Sequence, residues 1–362
     1  MKYKILKHYF KIPEFLIILV TAFIVLITYK NLNLIFKNDS KDGFLNATAI
    51  SNKFNCRLKA KNKSCIKNVL KDLDSDRSVL FLGNSQTGSI NNFHNKDLDF
   101  VSLLNENSFS KKNKLIIRSF WMPNASLKEF SKIHDSLIKC SANPAILIIP
   151  TFLDDTRENS IRKSVQNFEN SFCNNEKLNN QKTDLIEGNL VKLNREIRIR
   201  FEFLNKLQNL NTRFRTDLYK IRNFILMIKP NSIRKIKRSS YFSNIRAYEK
   251  ILVSRNKQNL KTIVYIPPLL YSNKINKIPY NTKEYKSFKK KIKEICLKNN
   301  CLFFNLESVV EDELWGNKLS TNIIKSENEI DFMHFTGKGH LRLSEEFSLI
   351  IKNHFETNSL KP

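Results

Sequence analysis

The fold is decided by the stretch SVLFLGNSQT at residues 78–87. Its apolar run, Val79–Leu82, is short and uninterrupted and ends at a glycine, which is typical of a strand buried on both faces of a parallel sheet. Four other runs have the same character, namely Lys114–Ile117, Ala145–Ile149, Thr262–Ile266 and Leu302–Phe304. Together these runs predict a five-stranded parallel sheet.

Helical segments alternate with several of these strands. The longer ones are amphipathic, and the predicted helices lie near Cys65–Leu73 and over Ser126–Cys140, Tyr285–Leu297 and Lys338–Phe355. Apolar residues that recur every three or four positions form the buried face of such a helix. Alternating strands and helices predict βαβ units, and hence an α/β fold in which helices cover both faces of the sheet.

The chain has a globular composition and a strong positive charge. Of its 362 residues, 41% are hydrophobic, so the chain can bury a core. Its 62 Lys and Arg residues against 34 Asp and Glu residues give a net charge of +28. Because this excess is spread along the chain, it indicates either a composition biased toward lysine or an anionic partner such as phospholipid or an acidic glycan.

An apolar segment lies near the N-terminus. Residues 12–29, IPEFLIILVTAFIVLITY, are just long enough to cross a bilayer, and lysines precede them. The positive-inside rule then keeps the N-terminus in the cytoplasm. No small-residue cleavage site follows, which favours an uncleaved anchor over a cleaved signal peptide. We therefore expect a single-pass protein of the cytoplasmic (inner) membrane with an extracytoplasmic, periplasmic domain, which opposes a nucleic-acid role.

Six cysteines fit an oxidising compartment. An even number in an exported chain favours disulfides. Proximity in the sequence favours the pairs Cys56–Cys65 and Cys296–Cys301, which leaves Cys140–Cys173. No CxxC spacing and no histidine cluster accompany these cysteines, so they do not indicate a zinc site.

These patterns divide the chain into segments. Residues 1–30 are the cytoplasmic tail and anchor, residues 31–75 a polar tether, and residues 76–358 the sheet domain. Residues 158–258 interrupt the strand order with a basic helical insert, in which apolar residues of the range 193–225 recur at helical spacing. The insert is either a helical lid on the sheet domain or a basic surface that contacts anionic lipid or a membrane partner.

Two groups of residues could carry chemistry, and the first contains Ser85. This serine directly follows the predicted first strand, at the edge where open parallel sheets bind their ligands. Gly83 permits a tight turn, and a following helix would direct its N–H groups at the Ser85 hydroxyl. The alternative is a Gly-Asn-Ser turn in which the serine only caps a helix.

The second group is Asp331-Phe332-Met333-His334. A carboxylate three residues before a histidine on a loop can accept a hydrogen bond from the imidazole Nδ1–H, which leaves Nε2 free to act as a base. His334 is the only one of the six histidines with an acid at this spacing. The alternative is a histidine that caps a helix beside an ordinary turn aspartate.

Together, the two groups resemble the first and last motifs of the SGNH (GDSL-type) hydrolase and acyltransferase superfamily. Gly83-Asn84-Ser85 is similar to the first motif, with Asn84 where many members have Asp, and Asp331-x-x-His334 is similar to the last. The resemblance covers about residues 76–356 apart from the insert. It implies a three-layer α/β/α sandwich, a catalytic triad of Ser85, His334 and Asp331, and no need for a metal or organic cofactor.

The middle motifs depart from the family pattern. Asn124 stands where the second motif usually has a glycine, and its backbone N–H could still bind an oxyanion. Asp154 falls at the asparagine of the third motif, and an ionised carboxylate cannot donate a hydrogen bond. Either Arg157, Asn124 or a side chain of the insert replaces this donor, or the enzyme is slow toward water. Alternatively, Asp154 and Asp155 pair with Arg157 in a structural turn.

Membrane-anchored relatives that acylate or deacylate surface polysaccharides show similar departures. The resemblance therefore implies a membrane-anchored extracytoplasmic serine acyltransferase or esterase that acts on acyl esters of a cell-envelope polysaccharide. It also implies a multi-pass membrane partner that exports the acyl group. The alternative is a catalytically lapsed protein of the same fold that binds glycan or acts as a scaffold in an envelope-modification complex.

Overall fold

The computed structural model describes residues 47–59, 62–94, 96–173, 214, 216–225, 233–270, 278–320 and 328–359. The strands are β1 (Thr48–Ala49), β2 (Asn55–Arg57), β3 (Ser78–Gly83), β4 (Ser89–Ile90), β5 (Ile116–Trp121), β6 (Ile146–Pro150), β7 (Lys261–Ile266), β8 (Leu302–Asn305), β9 (Trp315–Leu319) and β10 (Asn328–Phe335). The helices are α1 (Lys63–Asp72), α2 (Ser85–Gly88), α3 (Phe100–Glu106), α4 (Ser108–Lys112), α5 (Leu127–Lys139), α6 (Lys163–Gln166), α7 (Phe168–Phe172), α8 (Arg238–Lys257), α9 (Thr282–Lys298) and α10 (Gly337–Ser359).

A parallel sheet of six strands forms the centre of the domain, in the order β2-β5-β3-β6-β7-β8. All five predicted strands are present as β3, β5, β6, β7 and β8. The predicted count of five is wrong by one, because β2 also pairs with β5, with Asn55 opposite Ser119. The three residues of β2, Asn-Cys-Arg, contain no apolar run that could have indicated a strand.

Helices cover both faces of this sheet, which confirms the predicted three-layer α/β/α arrangement. Successive side chains of β3 point to opposite faces. Leu80 and Leu82 belong to a core shared with α1, α5, α8 and α9, whereas Val79 and Phe81 belong to a core shared with α3 and α10. Burial on both faces explains why these strands are continuously apolar.

Part of the predicted tether belongs to the sheet domain. Residues 47–73 supply β1, β2, α1 and buried side chains such as Ile66 and Val69. The predicted anchor at residues 12–29 lies outside the described residues. Among the helices of the described ranges, none is both long enough and apolar enough to cross a membrane.

Part of the predicted insert belongs to the helical layer on one face of the sheet. Its last helix, α8, packs against α5 and buries Tyr248 and Ile251 in the core. This part fits the prediction of a helical element packed on the sheet domain. Most of the range 193–225 lies outside the described residues, although residues 216–225 are helical.

The six cysteines pair as their proximity predicted, as Cys56–Cys65, Cys140–Cys173 and Cys296–Cys301. The pair Cys140–Cys173 closes the longest of the three loops, with a sequence separation of 33 residues. A disulfide stabilises the folded state mainly because it restricts the unfolded chain, and this effect grows with the length of the loop.

Removal of this longest loop closure should destabilise the domain. We expect the double substitution Cys140→Ser and Cys173→Ser to lower the free energy of unfolding by about 3–4 kcal/mol. Both side chains are half-buried, so little packing is lost at the same time. Urea unfolding of the oxidised wild type and the variant measures the difference. Equal transition midpoints would show that the bond does not restrict the unfolded chain.

Candidate active site

Ser85 lies at the carboxyl edge of the sheet, immediately after the central strand β3. It is the first residue of α2, and Asn84 is the N-cap, because the Asn84 side-chain oxygen accepts a hydrogen bond of 3.0 Å from the Gln86 N–H. The alternative interpretation required the Ser85 hydroxyl to cap the helix. Asn84 is the cap instead, so this alternative is wrong. The helix that follows Gly83 is a single turn, so its dipole is much weaker than that of a long helix.

The turn before Ser85 is tightly packed. A Cβ atom on Gly83 would lie 2.2 Å from the Thr87 hydroxyl oxygen, so no other residue fits at this position without a shift. On the far side, Gln86 donates a hydrogen bond of 3.0 Å to the carbonyl of Pro268, which follows β7. Ser85 itself is only 7% exposed. The turn is thus held by its own close packing and by the loop after β7.

Asp331 and His334 lie on β10, which pairs antiparallel with β9, so the predicted loop is wrong. On a regular strand, residues three positions apart point to opposite faces. The register shifts between Ile330 and Phe335, and this irregularity lets the two side chains meet. His334 Nδ1 lies 2.7 Å from Asp331 Oδ2, which is the contact predicted for a base and its orienting carboxylate.

The surroundings of Asp331 keep it ionised. Burial alone would raise its pKa, but the charge and hydrogen bond of His334, the Met333 N–H and the charge of Lys318 together lower the pKa below its usual value. The Asn91 side-chain amide also donates a hydrogen bond of 3.1 Å to Asp331 Oδ2. Sequence reasoning missed Asn91, because it reaches Asp331 only when β4 and β10 come together.

The structure brings the Ser85 turn and the Asp331–His334 pair to the same edge of the sheet. Helix α2, which begins at Ser85, packs against β10. Among the described residues, the pair Asp331–His334 is hydrogen-bonded, whereas the Ser85 hydroxyl makes no hydrogen bond to His334. Catalytic hydrogen bonds are often long without substrate and shorten when it binds. The orienting contact between Asp331 and His334 is therefore present, and the helix of Ser85 packs against the strand that carries it.

Asn124 lies in a turn after β5, beside the Ser85 turn. Its φ angle is +50°, in the left-handed region that glycine favours and asparagine tolerates, which explains why asparagine can stand at a glycine position. The Met122 N–H donates a hydrogen bond of 3.0 Å to the Gly83 carbonyl and so joins the two turns. Arg162 donates to the carbonyls of Pro123 and Asn124 at 2.8 and 3.3 Å.

Asp154 is engaged in ion pairs and does not donate a hydrogen bond. Its carboxylate lies 3.4 Å from Arg157 Nη1, pairs with Arg234 and accepts a hydrogen bond of 3.4 Å from the Tyr280 hydroxyl. The alternative of a structural turn between Asp154 and Arg157 therefore agrees with the structure. Arg234 was not singled out in the sequence, because nothing in its neighbourhood distinguishes it from the other basic residues of the insert.

Asp155 does not pair with Arg157, so this part of the structural alternative is wrong. It is buried directly below the Ser85 turn, where its carboxylate accepts a hydrogen bond of 2.9 Å from the Phe152 N–H. Burial raises the pKa of Asp155 to about 8, and the Phe152 N–H and the Asn84 side chain only partly oppose this rise. The Asn84 amide nitrogen is buried and has no well-formed hydrogen bond within the described residues. Asp155 is therefore a neutral acid at neutral pH.

This neutral acid predicts a pH dependence of stability. Its pKa is about 8 in the folded protein against an ordinary value of 3.8. Between these pH values the folded protein keeps a proton that the unfolded chain releases, so the group's contribution to stability is lost as the pH rises, by about 1.4 kcal/mol per pH unit. Asp155→Asn cannot titrate. We therefore expect the difference in unfolding free energy between Asp155→Asn and the wild type to shift in favour of the variant by about 1.4 kcal/mol per pH unit. Urea unfolding of both proteins from about pH 5 to pH 8 measures this difference.

Asp135→Asn is the matched control for this slope, because Asp135 pairs with Lys250 at the surface. It should keep the pH dependence of the wild type. Parallel curves for the wild type and Asp155→Asn would show that the buried carboxyl group is already ionised.

His340 lies close to the same motif but cannot serve as the base. It is fully buried, its Nδ1 accepts a hydrogen bond of 3.2 Å from the Phe100 N–H, and its Nε2 lies 3.2 Å from the Ser89 carbonyl oxygen. Burial lowers the pKa of His340 to about 3. Both ring nitrogens are thus occupied by backbone groups, and the imidazole stays neutral. Of the two histidines in this motif, His334 is the one whose Nε2 has no hydrogen bond among the described residues.

No protein-family model and no curated protein matches the chain. Some solved structures are similar to it. A catalytic mutant of an acetylxylan esterase from Geobacillus stearothermophilus is 10% identical, with a TM-score of 0.36, and the match covers 75% of this chain and 93% of that one. A GDSL-like lipase from Bacteroides thetaiotaomicron is 12% identical, with a TM-score of 0.37, and the match covers 82% and 100%.

Proposed function

We propose that this chain is a membrane-anchored, extracytoplasmic serine acyltransferase or esterase of the SGNH type that acts on acyl esters of a cell-envelope polysaccharide. The observation that carries this proposal is the 2.7 Å contact between His334 Nδ1 and Asp331 Oδ2 on a strand that packs against the helix of Ser85. A buried aspartate that orients a histidine beside a serine at a sheet edge is the arrangement that activates a serine nucleophile.

The reaction would proceed through an acyl-enzyme. Ser85 Oγ attacks the acyl carbonyl carbon while His334 Nε2 accepts the hydroxyl proton, and Asp331 stabilises the imidazolium that forms. The oxyanion accepts hydrogen bonds from the N–H groups of Ser85 and Asn124. Ser85 is the first residue of α2, so its N–H has no acceptor within the helix. The C–O bond of the ester then breaks, and the leaving alkoxide takes the proton from His334.

A sugar hydroxyl or water completes the cycle. It gives its proton to His334 Nε2 and attacks the acyl group on Ser85, and the Ser85 oxygen leaves with that proton. Because Asp154 is held in ion pairs, the site lacks one donor that the family usually supplies, and such a loss costs about 10²–10³ in rate. The missing donor slows attack by water and by a sugar hydroxyl alike, so a bound sugar favours transfer by its position next to the acyl group.

The cellular location is part of the same proposal. Disulfides persist in oxidising compartments, and the pairing of all six cysteines supports an extracytoplasmic domain. The apolar residues 12–29 would hold this domain at the membrane, beside a multi-pass partner that exports the acyl group. If so, deletion of residues 1–30 should abolish transfer to glycan in cells and leave ester cleavage intact. Unchanged transfer would exclude the partner.

The activity is tested with the full chain in detergent and p-nitrophenyl acetate as acyl donor. We expect a burst of p-nitrophenol equal to the enzyme concentration, followed by slower turnover that accelerates when envelope glycan is added as acceptor. Ser85→Ala should show neither phase. If the folded wild type shows no turnover that depends on Ser85, the binding or scaffold alternative is favoured.

A further inference from the structure

Arg234, a residue of the predicted insert, contacts two segments of the candidate site. Its backbone is fixed on both sides, because its N–H donates to the Pro279 carbonyl and its carbonyl accepts from the Asn281 N–H, both at 2.8 Å. These bonds form an isolated bridge between Arg234 and Tyr280. The side chain therefore starts from a fixed point beside the carboxyl edge of the sheet.

The Arg234 guanidinium lies against the motif that carries the histidine. Its central carbon is 4.7 Å from the centroid of the Phe332 ring, and Phe332 stands between Asp331 and His334 in β10. On the other side the guanidinium pairs with Asp154, in the loop after β6. Arg234 thus bridges the loop next to the Ser85 turn and the strand of His334, which places a cation at the rim of the site.

Asp154 satisfies only part of the Arg234 guanidinium. Asp154 is shared by Arg157 and Arg234, so one carboxylate faces two guanidinium groups. Lys318, which also lies over Phe332 at 4.9 Å, is neutralised by Glu329 at 3.3 Å. The ionised Asp331, which His334 contacts at 2.7 Å, balances the second guanidinium in net charge. Among the described residues, however, the carboxylate that pairs with Arg234 is Asp154, and it uses only part of the five N–H donors of the guanidinium. Burial lowers the pKa of Arg234, so keeping this charge here has an energetic cost.

We infer that Arg234, oriented by Asp154 and Phe332, binds an anionic group of the acylated glycan, a carboxylate or a phosphate diester. A planar guanidinium suits either group, because it donates two parallel hydrogen bonds to a pair of oxygens. This inference rests on the proposed function and names its substrate class. In this arrangement Asp154 replaces no oxyanion donor; it holds the arginine that recognises the polymer.

The test compares three acetyl esters that differ in charge, using the full chain in detergent. They are an acetylated neutral xylo-oligosaccharide, an acetylated oligogalacturonate that carries carboxylates, and an acetylated glycerol-phosphate oligomer. We expect the KM of at least one anionic ester to be about tenfold below that of the neutral one, and to rise with added NaCl. Preference for the second or the third ester identifies the carboxylate or the phosphate.

Arg234→Gln should raise the KM of the preferred anionic ester by about tenfold, and should change its kcat and the KM of the neutral ester much less. Arg234→Lys keeps the charge but not the paired donors, so it should recover part of the loss. Arg342→Gln is the matched control, because Arg342 pairs with Glu311 and Glu345 at the surface. An equal rise for charged and neutral esters would overturn the inference, as would turnover without any anionic preference. If no ester is turned over with Ser85 in place, the proposed function itself fails.

Discussion

Replacing His334 by alanine is expected to lower kcat for ester cleavage by about 10⁶-fold, because the serine and the histidine of a triad act as one unit. Without the imidazole, no base accepts the proton of the Ser85 hydroxyl, and no acid protonates the leaving oxygen. Asp331 would be left buried, and the hydrogen bonds from Asn91 and the Met333 N–H would still support its charge. Initial rates of p-nitrophenyl acetate cleavage by the wild type and the variant measure the loss.

His94→Ala is the matched control for this substitution. The His94 side chain is exposed. Its backbone N–H donates to the Asp97 carboxylate at 2.7 Å, and its carbonyl accepts from the Asp97 N–H at 2.9 Å. The same alanine substitution there should leave the rate within twofold of the wild type, about the scatter of such assays. A His334→Ala variant that folds and keeps most of its activity would show that this imidazole is not the base.

Asp331→Asn is expected to lower kcat by about 10⁴-fold while the fold is preserved. The new amide would present an N–H₂ group toward His334 Nδ1 and so stabilise the tautomer that carries its proton on Nε2, where a base is needed. In the wild type the Asp331 carboxylate accepts a hydrogen bond from His334 Nδ1–H at 2.7 Å. In the variant the amide would donate to Nδ1 instead. Steady-state kinetics with p-nitrophenyl acetate measure the loss in kcat.

The same substitution should also change how stability depends on pH in acid. The pKa of Asp331 is lowered in the folded protein, so its carboxylate stabilises the fold above its ordinary pKa, and this contribution is lost as the pH falls through the lower, folded value. The stabilities of the wild type and Asp331→Asn should therefore converge in strong acid. Asp135→Asn, which removes a surface ion pair, should change neither kcat nor this pH profile. Equal losses in the two variants would contradict an orienting role for Asp331.

Much of the fold could be predicted from the sequence, because its central strands are buried on both faces. Such strands appear as uninterrupted apolar runs, and all five predicted runs form strands. The sixth strand, β2, could not be found this way, since only its middle residue, Cys56, is apolar. Its position depends on pairing with β5, on the burial of Asn55 and on the disulfide to Cys65, and all three depend on tertiary structure.

The site was predictable only where its residues are neighbours in the sequence. Asp331 and His334 share one motif, and their contact follows from a local irregularity of β10. Asn91 and Arg234 reach this motif from distant segments, and no local pattern indicates such a contact. The burial of Asp155 could not be predicted, because a polar Asp-Asp-Thr-Arg sequence is typical of an exposed turn.

The most direct test is to treat the full-length protein with a fluorophosphonate, which reacts only with an activated serine, and to locate the adduct by mass spectrometry. Ser85 is the first residue of α2, and this helix packs against the strand that carries the Asp331–His334 pair. We therefore expect a single adduct on Ser85 that is absent in Ser85→Ala, strongly reduced in His334→Ala and unchanged in His94→Ala. An unlabelled Ser85 in folded protein, or labelling that does not depend on His334, would contradict a serine nucleophile activated by this histidine.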